Sequence, residues 1–208
     1  MRVVDQLASA LGRRDEVPNQ ELAVKIAASK DKQGVKELIE HLGAKSKDIQ
    51  NDCIKVLYEI GAINPELIAE YAPVFLELLK HKNNRLRWGG MTALDMIVFE
   101  HPSCIYKSIP VILDAVATGS VITMDGAVNI FIKLCQIPVF AADAFAILME
   151  LIQKAPVNQL PMYAERTLPI MNEDNKGRFI ELLSSRLHEI EKEPKRKRVE
   201  KVILKVKG

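Results

Sequence analysis

The chain has 208 residues, of which 48% are hydrophobic and only 5% aromatic, and its formal net charge is +2 at neutral pH. That length can bury a substantial core, while a charge so near zero excludes a whole-protein argument for nucleic-acid binding. No run of about 18 apolar residues occurs, and the opening MRVVDQLASALGRRDE is too polar for a secretory signal, so the expectation is a soluble cytoplasmic protein with no membrane span.

In chain order, Val3 to Leu11 reads as an amphipathic helix with Asn19 to Ala28 as its partner, an N-terminal capping pair over about residues 2–30. From Gly34 the sequence repeats itself. Windows beginning at Gly34, Tyr71 and Ser108 align without a gap at an offset of 37 residues. Leu38, Phe75 and Ile112 correspond, as do Ile39, Leu76 and Leu113, then Leu42, Leu79 and Val116, which gives one apolar face on a first helix. On a second helix Ile49, Leu86 and Thr123 correspond, followed by Cys53, Gly90 and Ala127, by Val56, Ala93 and Ile130, by Leu57, Leu94 and Phe131, and by Ile60, Ile97 and Leu134. Steps of this kind place every member on one helical stripe.

The punctuation repeats as well. Asn64-Pro65 and His101-Pro102 each precede an apolar run, and Ser46, Asn83 and Ser120 stand where they can cap the second helices. Pro73 and Pro110 fall inside first helices, where they are expected to bend the axis rather than end it. Gly89-Gly90 lies inside a helical pattern, where small residues let helices approach closely. These signals set repeats at about 31–61, 65–100, 102–136 and 138–171. In the last of these the register slips by one residue, and Arg166 and Thr167 stand where apolar side chains are expected.

From Glu173 to Ile190 the residues Phe179, Leu182, Leu183, Leu187 and Ile190 keep helical spacing, and Val199, Val202, Ile203 and Val206 continue it after Pro194. This is read as a basic C-terminal capping pair over about residues 173–207. The run Lys195-Arg196-Lys197-Arg198, with Lys201, Lys205 and Lys207, admits a nucleic-acid reading. The competing reading is the solvated side of a terminal amphipathic helix, and no interleaved aromatic residue is present to stack bases.

A period of this length in a helical sequence implies stacked helix pairs. Pro73, Leu78-Leu79, Leu86-Arg87, Gly90, Ala93-Leu94 and Ile97 resemble a HEAT repeat of the armadillo-type superfamily. The match is fullest from about residue 71 to 97, and Gln50 and Met124 replace the family's typical arginine in the flanking repeats. The resemblance implies an all-α fold, a right-handed superhelix of about six antiparallel helix pairs forming one domain over residues 1–208. By analogy it also implies a non-enzymatic scaffold for a protein or peptide.

In HEAT-type stacks the second helices line the concave face. The outward rows expected there are Asn51, Trp88 and Asp125; Lys55, Thr92 and Asn129; and Tyr58, Asp95 and Ile132. Tyr58, Trp88, Thr92, Asp95, Lys55 and Asn129 are therefore the candidate partner-binding residues, with Trp88, the single tryptophan, and Tyr58 as aromatic anchors. Burial of Trp88 against Gly89 or the next helix is the competing reading. HEAT-like alkylpurine DNA glycosylases supply the alternative, with Trp88 stacking on a base and Asp95 stabilising a developing cation.

Cys53, Cys104 and Cys135 lack CxxC spacing and are odd in number, which points to free thiols, with Cys53 on the apolar stripe. His41, His81, His101 and His188 have no ligand partners at metal spacing. No phosphate-loop, dinucleotide, nucleophile-elbow or zinc-protease motif occurs, so the expectation is no catalytic residue, no metal and no cofactor.

Overall fold

The computed structural model describes residues 2–208, and all regular structure among them is helical. The α-helices are α1 (Val17–Ser29), α2 (Lys32–His41), α3 (Lys47–Ile63), α4 (Glu66–Ala69), α5 (Ala72–Leu78), α6 (Asn84–Met96) and α7 (Pro102–Lys107). They continue as α8 (Ile109–Thr118), α9 (Val121–Leu134), α10 (Ala141–Lys154), α11 (Leu160–Thr167), α12 (Lys176–Arg186) and α13 (Glu193–Lys207). Short 3₁₀ turns cover Val3–Gln6, Leu168–Ile170 and Leu187–Glu189. The chain divides into two compact units, Met1–Ala127 and Val128–Gly208, with the division inside α9.

In the first unit α3 packs against both α1 and α6, while α2 lies on α3 and α5 lies on α6. α3 and α6 thus each rest on their own first helix and on the long helix before it. The repeated positions account for this. Leu38, Phe75 and Ile112 have no exposed surface, nor do Cys53, Val56, Leu57, Ile60, Leu86, Ala93, Leu94 and Ile97. Each Leu-sized side chain withdrawn from water contributes about 1.5–3 kcal/mol. The next position along the first helices, Ile39, Leu76 and Leu113, is half-buried in all three repeats. In the second unit α13 packs on α11 and α12, and α10 touches both of these.

Two of the expected helix starts are capped by side chains. Ser46 Oγ accepts from the Ile49 amide at 3.5 Å and Asn83 Oδ1 from the Arg85 amide at 3.0 Å. The glycine pair is in close quarters, since a Cβ on Gly89 would sit 2.6 Å from Ile54 Cγ1 and one on Gly90 would sit 2.9 Å from the Phe75 carbonyl oxygen. Arg87 donates to the Thr118 carbonyl at 2.9 Å and so ties α6 to the end of α8.

Two local expectations are corrected. Pro73 and Pro110 do not bend continuous first helices; α4 ends at Ala69 and α7 at Lys107, and each proline then sits in the first turn of a new helix. Inside a continuous helix a proline lacks the amide proton its turn needs and its ring clashes with the carbonyl four residues back, whereas its fixed φ suits a first turn, so the chain stops and restarts. Val3 to Leu11 is likewise no α-helix, but a 3₁₀ turn at Val3–Gln6 followed by turns. Its amides bond to side chains instead: Val3 and Val4 donate to the Glu37 carboxylate, each at 3.1 Å, Ala8 to Asn19 Oδ1 at 2.9 Å and Ser9 to Asp52 at 2.8 Å.

At the slipped repeat, Thr167 is buried and its hydroxyl donates back to the Tyr163 carbonyl at 2.8 Å, so a polar residue fits the core face without an orphaned group.

Candidate functional site

The aromatic residues of the second helices come together. Tyr58 on α3 and Trp88 on α6 are both half-buried, with ring centroids 5.9 Å apart and planes inclined at 46°, a separation at which ring pairs attract. Gly89, beside Trp88, lets α6 lie against Ile54 of α3, and this close approach brings the two rings within reach.

A cation covers each ring. Lys55 Nζ stands 5.0 Å from the Tyr58 centroid and the Arg85 guanidinium 5.6 Å from that of Trp88. One carboxylate joins the two cations: Glu16 Oε2 is 2.9 Å from Lys55 Nζ, and Glu16 Oε1 accepts from Arg85 Nη2. Glu59 adds a second acid on Lys55 at 2.6 Å. Thr92, one turn beyond Trp88, is half-buried and donates to the Trp88 carbonyl at 2.9 Å.

The charges are set by these contacts. Burial disfavours the Lys55 ammonium, but hydrogen bonds to Glu59 and Glu16 outweigh it and hold the group above its ordinary range, charged at all physiological pH. The hydrogen bond from Lys55, with that from Arg85, holds the Glu16 carboxyl below its ordinary value. Burial raises the Tyr58 phenol. Elsewhere, burial pushes the thiols of Cys53 and Cys135 up to about 12, which leaves them protonated and poorly nucleophilic. All three cysteines are free.

Of the six sequence candidates, Tyr58, Trp88 and Thr92 share a partly exposed surface of the first unit. Lys55 and Asp95, read from the repeat as outward-facing, are buried, at 6% and 4% exposure. Lys55 is covered by the Glu16 and Glu59 carboxylates and the Tyr58 ring, and Asp95 shares the helix face of Trp88 and Thr92 but stands in the last turn of α6, where it is buried. Asn129 belongs to the second unit, where its Oδ1 accepts from Arg166 at 3.2 Å. Glu16, Glu59 and Arg85 complete the cluster, and the sequence reading assigned no role to either acid. Glu59 carried a helical cue, four residues after Lys55. Glu16 carried none, because it lies outside the repeat.

Beside the cluster a cleft of about 480 Å³ is lined by Ser9, by the arginines Arg13, Arg14 and Arg85 and by the acids Asp15, Glu16, Asp48 and Asp52, among others. Ser9 Oγ and Arg85 Nε are buried there without a hydrogen-bond partner. In the second unit the basic run is engaged at each position. Lys195 donates to Asn158, Arg196 lies 3.8 Å from Glu200, Lys197 lies 2.6 Å from Glu193, and Arg198 grips Glu165 through two nitrogens. Among the described residues no helix is long and apolar enough to cross a membrane, and no three His, Cys, Asp or Glu side chains are grouped to hold a metal ion.

No protein-family model matches the chain, and no curated protein matches it. The fold is similar to two crystal structures of engineered proteins from the Northeast Structural Genomics Consortium. One aligns with a TM-score of 0.63 at 17% identity, over 100% of this chain and 97% of that one. The other aligns with a TM-score of 0.61 at 16% identity, over 100% of this chain and 99% of that one. At these identities the likeness to the two engineered proteins is one of fold alone.

Proposed function

We propose that this chain is a HEAT-like scaffold, a right-handed solenoid of about six helix pairs that binds a protein or peptide on its concave face without catalysing a reaction. The repeated burial of equivalent positions and the row of α1, α3 and α6 support the repeat reading. The observation that carries the binding reading is the half-buried Tyr58–Trp88 ring pair in a chain with few aromatic residues, joined through Arg85 over the Trp88 ring to the cleft that Arg85 lines. Aromatic groups held rigidly at a partly open surface make effective anchors, because little conformational freedom is lost when a partner covers them. A cytoplasmic location is part of the same reading.

The test is a pull-down from the native host with wild type and Trp88→Ala, repeated at low and high salt. Retention of one protein that survives salt and is lost with Trp88→Ala supports the scaffold. Equal retention by both, or capture only of nucleic acid that disappears steeply as salt rises, overturns it.

A further inference from the structure

The Glu16 carboxylate is unusual in where it goes. Glu16 is the residue before α1, a position from which side chains commonly cap their own helix, yet it makes no capping bond; Asp15 Oδ1 takes the Val17 amide at 3.1 Å instead. Glu16 reaches across to cations on two other helices, 39 residues away on α3 and 69 away on α6. Its side chain keeps 44% exposure and that of Arg85 36%, so the Glu16–Arg85 contact is open to solvent and to competitors, while Lys55 lies buried beneath.

Without Glu16, Lys55 retains Glu59, but Arg85 has no other acid in contact among the described residues. Arg85 would then present its planar fork, including the buried Nε that already lacks a partner, at the cleft and next to the Trp88 face. A guanidinium with free donors beside an aromatic ring takes a carboxylate in two-point contact.

We infer that Glu16 occupies in the free protein the place of a partner's carboxylate, and that the surface recognises an acidic peptide segment whose Asp or Glu displaces Glu16 from Arg85 while a neighbouring side chain lies on the exposed part of Tyr58 and Trp88. This rests on the scaffold reading above. The loop carrying Glu16 is a built-in competitor. Being tethered, it acts at a high effective concentration and lowers the apparent affinity of any acidic segment for the wild-type chain.

The test uses the full chain and a hexaglutamate peptide, with hexalysine as the charge control, and reads Trp88 emission, which is unambiguous because the chain has one tryptophan. Glu16→Gln keeps the shape and removes the charge. It is expected to bind hexaglutamate at least about 10-fold more tightly than wild type, the scale of a modest tethered competitor, with no response to hexalysine. Glu16→Asp, one methylene too short to span both cations, is expected to fall between them and serves if Glu16→Gln folds poorly. Equal hexaglutamate affinity in wild type and both variants, or no response in any, overturns the inference. If that happens while Trp88-dependent partner capture persists, the scaffold stands and the acidic partner falls. Tight hexaglutamate binding by Glu16→Gln with no Trp88-dependent partner would be the reverse failure.

Discussion

Gly89 meets Ile54 so closely that a Cβ at position 89 would lie 2.6 Å from Ile54 Cγ1, and this contact sets how near α6 can come to α3. Gly89→Ala is expected to destabilise the chain by about 1–3 kcal/mol, the usual cost of overpacking. Gly90→Ala should cost at least as much, because its Cβ would be 2.9 Å from a backbone carbonyl that cannot turn aside. Gly177→Ala in α12, with nothing within 4 Å, should be neutral or stabilising by up to about 1 kcal/mol. Urea denaturation of the three variants checks the order.

The pH dependence of the Glu16 contact has a definite sign. Its carboxyl is held below the ordinary 4.5 by Lys55 and Arg85, so the stability it contributes is present above that value and is lost as pH falls through its lower folded-state value. The stability difference between wild type and Glu16→Gln should therefore be steady near neutrality and vanish in acid. The group is nearly half exposed, so the difference should stay below about 1 kcal/mol. Melting temperatures of the two proteins from pH 7 down to about pH 3 measure it.

Arg186 is buried in the second unit, donating to the Ile152 carbonyl at 2.8 Å and to Glu189 through Nε and Nη2. Arg186→Met keeps an unbranched apolar stem, two atoms shorter, and removes every one of these bonds. A loss of about 2 kcal/mol in a urea titration is expected, the scale of hydrogen bonds to a charged group.

The N-terminal segment is fixed by carboxylates, not by helix formation. In Glu37→Ala the Val3 and Val4 amides lose their acceptor. Their hydrogen exchange should accelerate, while the Leu57 and Leu94 amides in the core helices keep their protection.

The repeat made the interior legible. Leu38, Phe75 and Ile112, or Leu57 and Leu94, are buried because the same helical stripe recurs at one interval, and a stripe of apolar side chains has one physical use. What the stripe could not show was competition for backbone groups. Side chains distant in sequence, Glu37 and Asp52, hold the opening segment out of a helix, and a proline restarts a helix where periodicity alone continues it. The site was half legible for the same reason. Tyr58 and Trp88 follow from the repeat rows, but Lys55 is covered in part by Glu16, a residue the repeat does not contain.

The most direct test of the binding surface is the affinity of the captured partner, by calorimetric titration, for wild type, for Trp88→Ala and for Val139→Ala, an exposed apolar residue of the second unit. Loss of an anchor of about 2 kcal/mol predicts binding roughly 30-fold weaker for Trp88→Ala, with Val139→Ala unchanged and both variants melting within a few degrees of wild type. Unaltered affinity in a folded Trp88→Ala protein would contradict the account.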